Sequence, residues 1–161
     1  MWLLACRLQL ANMQIIVQRV VSASVSVKDK IVGKIDRGLV CLVGIGQDDT
    51  VQDAEWCAEK LLKLKLWNHP ETDKPWSRSV VDCEYGLLLI SQFTLMGYLS
   101  KNRPNFSKAM KPEPAKELYG HFVDKIKNSY GKVEEGVFGE YMQVDLKNDG
   151  PVTFTLDSTK R

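Results

Sequence analysis

Two stretches of the 161-residue chain carry residue types whose spacing could do chemistry. Ser91-Gln92-Phe93-Thr94-Leu95 closes a run of apolar residues. In an extended strand Gln92 and Thr94 project from one face, and Ser91, Phe93 and Leu95 from the other. An amide and a hydroxyl would then reach one pocket together, or they would form the polar outer face of an edge strand. The second stretch, Asn148-Asp149-Gly150-Pro151-Val152-Thr153, lies between the strand-like runs 141–146 and 152–156. Pro151 fixes φ and supplies no N–H, so it belongs at an edge or at a strand's first residue. Gly150 lets another chain or a ligand approach the backbone, and a Gly-Pro bond can be cis at modest cost. A plain Asn-Asp-Gly-Pro turn would use the same residues.

Familiar catalytic constellations are missing. The sequence has no G-x-S-x-G and no Walker loop, and neither His69 nor His121 is flanked by a nucleophile pattern. Cys6, Cys41, Cys57 and Cys83 are far apart, with no C-x-x-C pair and no zinc spacing. Neither a metal nor another cofactor is expected. Gly44-x-Gly46 follows a strand-like run, but Asp49 replaces the third glycine of a dinucleotide fingerprint. Thr94 is a nucleophile by type, yet no base neighbours it in the sequence to activate it.

Charge narrows the partners. With 22 basic and 20 acidic residues the net charge is +2, so any nucleic-acid contact must be local. One candidate is 97–111, which holds Lys101, Arg103, Lys108 and Lys111 and no acid. Such a run is either a solvated loop or a phosphate-facing rim with Phe106 available for stacking.

The elements that must position these residues follow from periodicity. Hydrophobic residues make up 44% of the chain and charged residues 26%, values of a globular domain with a real core. Residues 13–21 and 22–27 read as strand, 28–30 as a turn, 31–35 as the partner strand, and 39–45 as a strand covered on both faces. A helix runs from Asp49-Thr50 to about Lys65, with Thr50 and Asp53 resembling a capping box and Val51, Ala54, Ala58, Leu61 and Leu62 as its stripe. Short strands are expected at 66–67 and 79–81, a central strand over 86–95, and an irregular segment over 97–111. A second helix follows Pro112 and Pro114, carries a stripe from Ala115 to Tyr130, and stops at Gly131. His121 lies beside that stripe and reads as a surface or packing residue. Strands at 132–134, 141–146 and 152–156 complete a single mixed α/β domain with two main helices.

Residues 1–12 read as a leader, non-native or disordered, ahead of one domain over 13–161. They lack a basic start and a small-x-small cleavage site, so a secretory signal is not expected, although one arginine and no acid leaves organelle targeting open. No apolar run reaches membrane-spanning length. The dispersed cysteines point to a reducing, cytoplasmic compartment.

Together the two motifs resemble the signatures of the D-aminoacyl-tRNA deacylases, also called D-tyrosyl-tRNA deacylases. Gln18-Arg19-Val20, Gly38-Leu39, Arg103-Pro104-Asn105-Phe106, Phe138-Gly139 and Met142-Gln143-Val144 match in order and spacing, so the resemblance covers 13–157. It implies a layered β/β/α fold with a partly closed, barrel-like sheet. It also implies a homodimeric hydrolase that cleaves the ester between a D-amino acid and the 3′-terminal adenosine of tRNA. Each subunit would insert a cis Gly150–Pro151 into its partner's pocket for chiral selection, braced by Arg19. Ser91, Gln92, Phe93 and Thr94 would line the ester end, with backbone N–H groups around Phe93 and Thr94 holding the oxyanion. Phe138 and Gly139, with Asn148 and Thr153, would bind substrate, and the ribose 2′-hydroxyl would assist the attack. Two alternatives give distinct expectations: a non-catalytic nucleic-acid-binding module, and a small-molecule esterase that depends on Thr94. The stretch from Met96 to Arg103 departs from the family's usual loop by being shorter and less basic, and the leader is a second departure.

Overall fold

The strand to which the rest of the sheet is attached is β1 (Gln14–Val27) in the computed structural model, which describes residues 12–160. The leader expected over 1–12 therefore lies, Asn12 apart, outside the described residues. Lys28 and Asp29, both with positive φ, turn β1 back into β2 (Lys30–Ile35). This tight reversal is the one its right-handed twist favours. β3 (Gly38–Gly44) lies antiparallel to the first half of β1, while β2 takes the same edge of the second half.

α1 (Val51–Lys63) begins as expected: the Asp53 carboxylate accepts from the Thr50 N–H at 2.8 Å and closes a capping box. Its buried stripe is Ala54, Cys57, Ala58 and Leu61. Val51, expected in that stripe, is exposed because it opens the helix beyond the sheet. The small strands β4 (Lys65–Trp67) and β5 (Arg78–Ser79) pair with each other and lead into β6 (Gly86–Ser91), parallel to β3.

The segment from Gly97 to Lys111 is not wholly irregular. β7 (Tyr98–Ser100) and β8 (Arg103–Asn105) form a hairpin whose corner, Lys101-Asn102, has φ of 45° and 64°. α2 (Pro112–Ser129) opens on a proline whose fixed φ suits the first turn, and it buries Leu118, Tyr119, Phe122 and Ile126. His121 sits on its outer face, 3.2 Å from Glu55 of α1. β9 (Val133–Glu135) joins β6 in parallel, and β10 (Gln143–Asp157) pairs antiparallel along the whole of β1.

The main sheet is thus mixed, ordered β10-β1-β3-β6-β9, with β2 on β1. Side-chain alternation divides its contents. Ile15, Val17, Leu39, Cys41, Leu87 and Leu89 face the helices, whereas Val40, Leu88 and Ile90 face a second core with Val25 and Ile35. β1 serves both cores because register shifts between Gln18 and Ser22 turn odd-numbered residues from one face to the other. Beyond them the strand curls with β2 over β6 and β9, giving a nearly closed barrel with two helices outside. No helix among the described residues is long and apolar enough to cross a membrane.

Candidate active site

The apolar ladder of β6 carries the first motif to the sheet's end and stops there. Ser91 is the last strand residue, opposite Val43, and Gln92 leaves β geometry with ψ of 76°. Phe93–Met96 is a turn of 3-10 helix, so the strand expected to reach Leu95 is shorter and the alternating pattern after Ser91 belongs to a turn. Close packing explains the change. A Cβ on Gly44 would stand 2.8 Å from Leu95 and 3.2 Å from the Gln92 carbonyl, so the glycine at the end of β3 admits the fold-back.

Gln92 and Thr94 still meet, by a different geometry. Gln92 Nε2 donates to Thr94 Oγ1 at 2.5 Å across the turn. The first N–H groups of a helical turn have no acceptor within it, which leaves those of Phe93 and Thr94 available to a ligand oxygen. No acid or histidine among the described residues is hydrogen-bonded to Thr94. The side chain of Phe93 is exposed and packs edge-to-face on Phe106, 5.1 Å between centroids.

This turn opens onto a cavity of about 890 Å³ whose lining includes Ser91, Gln92, Phe93 and Thr94 together with Phe138 and Gly139. Behind Phe138 stands Tyr119 of α2, 5.7 Å away and tilted 43°. Burial pushes the Tyr119 hydroxyl's pKa upward, keeping it neutral. Ile45, Met110 and Ala115 also wall the cavity; as ordinary apolar residues they carried no signal in the sequence. Glu140 and Lys111 line it as well, and both are exposed. The cavity therefore offers apolar and aromatic walls, one amide–hydroxyl pair and free backbone donors. That set can receive a planar ring and the carbonyl oxygen of an ester.

The second motif is not a turn between two strands. Asn148 pairs with Val20 and Thr153 with Gln18, so residues 149–152 bulge from one continuous strand opposite Arg19 alone. Side chains close the neck: Asn148 Nδ2 donates to Thr153 Oγ1 at 3.0 Å, and Asn148 Oδ1 accepts from the Val152 N–H at 3.2 Å. The Gly150–Pro151 peptide is cis, and Gly150 has φ of 122°. A Cβ there would meet Val152 Cγ2 at 2.9 Å and Arg19 Nη2 at 3.2 Å, so only glycine fits. Arg19 underpins the bulge: Nε donates to the Asp149 carbonyl at 3.3 Å and pairs with its carboxylate at 3.4 Å, while Nη1 donates to the Leu66 carbonyl at 2.5 Å.

Within one chain the two motifs stay apart. Gly150, Pro151, Arg19, Asn148 and Thr153 are absent from the cavity lined by Ser91 to Thr94, Phe138 and Gly139. Ser91 and Arg19 are two strand spacings across and four residues along, roughly 16 Å at ordinary strand dimensions. Gly150 and Pro151 project from β10 into solvent.

The chain is similar to known proteins over nearly all of this structure. A family model described as D-Tyr-tRNA(Tyr) deacylase matches residues 16–157. A D-aminoacyl-tRNA deacylase of Dictyostelium discoideum is 45% identical over 151 residues, covering 92% of this chain and 100% of its own. The D-aminoacyl-tRNA deacylase of Drosophila melanogaster is 46% identical, covering 92% and 94%. Among solved structures, one described as c-Myc DNA Unwinding Element Binding Protein superposes with a TM-score of 0.85 at 41% identity, over 89% of this chain and 97% of that one. Another, a probable eukaryotic D-amino acid tRNA deacylase, shares the fold with a TM-score of 0.81 at 18% identity, over 91% and 99%.

Proposed function

The chain belongs to the D-Tyr-tRNA(Tyr) deacylase family, and on that premise we propose that its cavity hydrolyses the ester joining a D-amino acid to the 3′-terminal adenosine of tRNA. The observation that carries this reading is the Gln92–Thr94 turn. It brings Phe93 and Thr94, whose N–H groups have no acceptor within the turn, into the lining of a cavity that Phe138 also lines. The adenine ring lies against Phe138 and Gly139, and the ester carbonyl points its oxygen at the N–H groups of Phe93 and Thr94.

Water adds to the carbonyl carbon, and the C=O electron pair moves onto the oxygen held there. Collapse re-forms the carbonyl and breaks the bond to the ribose 3′-oxygen, which takes up a proton. The ribose 2′-hydroxyl relays that proton from the attacking water to the 3′-oxygen, because Thr94 is hydrogen-bonded to an amide and has no base beside it.

The enzyme works as a homodimer in this reading, with the Gly150–Pro151 bulge of one subunit closing its partner's cavity against L side chains. Support comes from β10, the edge strand of the sheet, which leaves Val144, Leu146 and Phe154 exposed beside the bulge. Lys101, Arg103 and Lys108, exposed on and after the β7–β8 hairpin, form the rim for the acceptor-stem phosphates. We place the protein in the cytoplasm, in keeping with Cys41, Cys57 and Cys83, which form no disulfide.

Release of D-tyrosine from D-tyrosyl-tRNA across a salt titration tests this. Turnover should persist at modest salt while tRNA affinity falls; binding without release at every salt concentration would favour a non-catalytic module instead.

A further inference from the structure

Among the described residues, a carboxylate buried without a cation stands just ahead of α1, outside the lining of the cavity. Asp49 is 8% exposed. Its Oδ2 accepts from the Gly46 N–H at 2.6 Å, and its Oδ1 accepts from the Met13 N–H at 2.7 Å. Aspartates this buried are ordinarily paired with a positive charge. Here the charges that reach it, Asp53 and Asp48 of its own segment, are both acidic, and burial is the larger effect, pushing its pKa up to about 7. The strands around it supply no base. β1 and the 44–46 crossover bring only backbone N–H groups, and β10 brings Asp157, opposite Gln14. Met13 is fully buried, and its carbonyl accepts from the Ser158 N–H at 3.0 Å. Its nitrogen is therefore fixed on the carboxylate from both ends.

A peptide N–H brings one proton and no charge to that carboxylate. An α-ammonium at the same atom would bring three protons and a full positive charge. We infer that Asp49 is a receptor for a free α-ammonium on Met13. A chain whose first residue is Met13, initiated there or trimmed there, completes the site, and Nα-acetylation of that residue disables it.

The pH dependence fixes the sign. In the 161-residue chain the native state holds a proton on Asp49 that the unfolded chain has already released between pH ~4 and ~7, so stability falls as pH rises through that window. In a chain beginning at Met13 the ammonium keeps Asp49 ionised and its own pKa rises. The gain is then present below the ordinary α-amino range of about 7.7–8.0 and is lost as pH passes through the raised value.

The test compares three purified proteins, the 161-residue chain, one beginning at Met13 and its Nα-acetylated form, each with and without Asp49→Asn. Urea midpoints are read from pH 4 to 10, and the α-amine is titrated by NMR. The Met13 chain should be the more stable at pH 7, with the advantage growing from pH 4 to 7. Acetylation and Asp49→Asn should each remove that advantage. Its α-amine should titrate at least one unit above the ordinary range, a tenfold preference for the charged form. An advantage that survives Asp49→Asn would overturn the inference. If Asp49→Asn does not fold, the α-amine of the unaltered Met13 chain still decides, because an ordinary pKa there refutes the receptor.

Discussion

Arg19→Met isolates the support under the Gly150–Pro151 bulge while roughly preserving side-chain volume. The guanidinium makes one short hydrogen bond to the Leu66 carbonyl at 2.5 Å and two longer contacts to Asp149 at 3.3 and 3.4 Å. Hydrogen bonds to a charged group contribute about 1.5–3 kcal/mol each. The Leu66 bond belongs near the middle of that range because the Arg19 side chain is only 16% exposed. The Asp149 contacts are long and Asp149 is 32% exposed, so together they add about 1 kcal/mol after solvent screening. The expected loss is therefore about 3 kcal/mol, or about 1.5 M in urea midpoint for a slope of about 2 kcal/mol/M. Asp149→Asn should cost less than about 1 kcal/mol because the carbonyl contact remains. D-tyrosyl-tRNA turnover, measured without denaturant where Arg19→Met is still folded, should fall at least tenfold as the bulge loses its position. A midpoint within 0.3 M of the parent, or full turnover by a folded variant, would refute the bracing argument; that 0.3 M bound corresponds to about 0.6 kcal/mol.

Gly150→Ala places a Cβ 2.9 Å from Val152 Cγ2 at a φ of 122°. It should cost about 1–3 kcal/mol by thermal melting and abolish D-ester turnover. Thr94→Ala removes the acceptor of the Gln92 amide but leaves the backbone N–H groups. Its kcat should fall by no more than about tenfold under substrate assistance, whereas a nucleophilic threonine would lose a thousandfold or more. Mixing inactive Gly150→Ala chains with inactive Phe138→Ala chains should restore about a quarter of parental activity, because half the dimers carry one intact composite site. No recovery after confirmed subunit exchange would place both motifs in one chain's site.

Much of the fold was legible because patterning and burial agree. The unbroken apolar runs of β3 and β6, the capping box of α1 and the stripe of α2 each had one structural solution. Three features were not. The turn at Phe93–Met96 carries an alternating sequence, and only its packing on Gly44 makes it a turn. The continuity of β10 through Pro151 depends on β1 absorbing four residues opposite Arg19. The β7–β8 corner uses Lys101-Asn102 at positive φ without a glycine, leaving asparagine as a weak hint. Of the residues that line the cavity, Ser91, Gln92 and Thr94 could be singled out from residue type and spacing, and Phe138 and Gly139 only from the family resemblance. Ile45, Met110 and Ala115 could not, because a cavity's apolar wall has the composition of any core. Asp49 read as a helix opener, and its burial depends on where Met13 comes to rest.

The most direct measurement is the pair of hydrolysis rates on D-tyrosyl-tRNA and L-tyrosyl-tRNA, side by side, under single-turnover conditions. The account predicts rapid loss of the D-ester and an L-ester rate at the uncatalysed background. Equal cleavage of both esters would contradict the role given to Gly150 and Pro151. Cleavage of neither would contradict the enzyme itself.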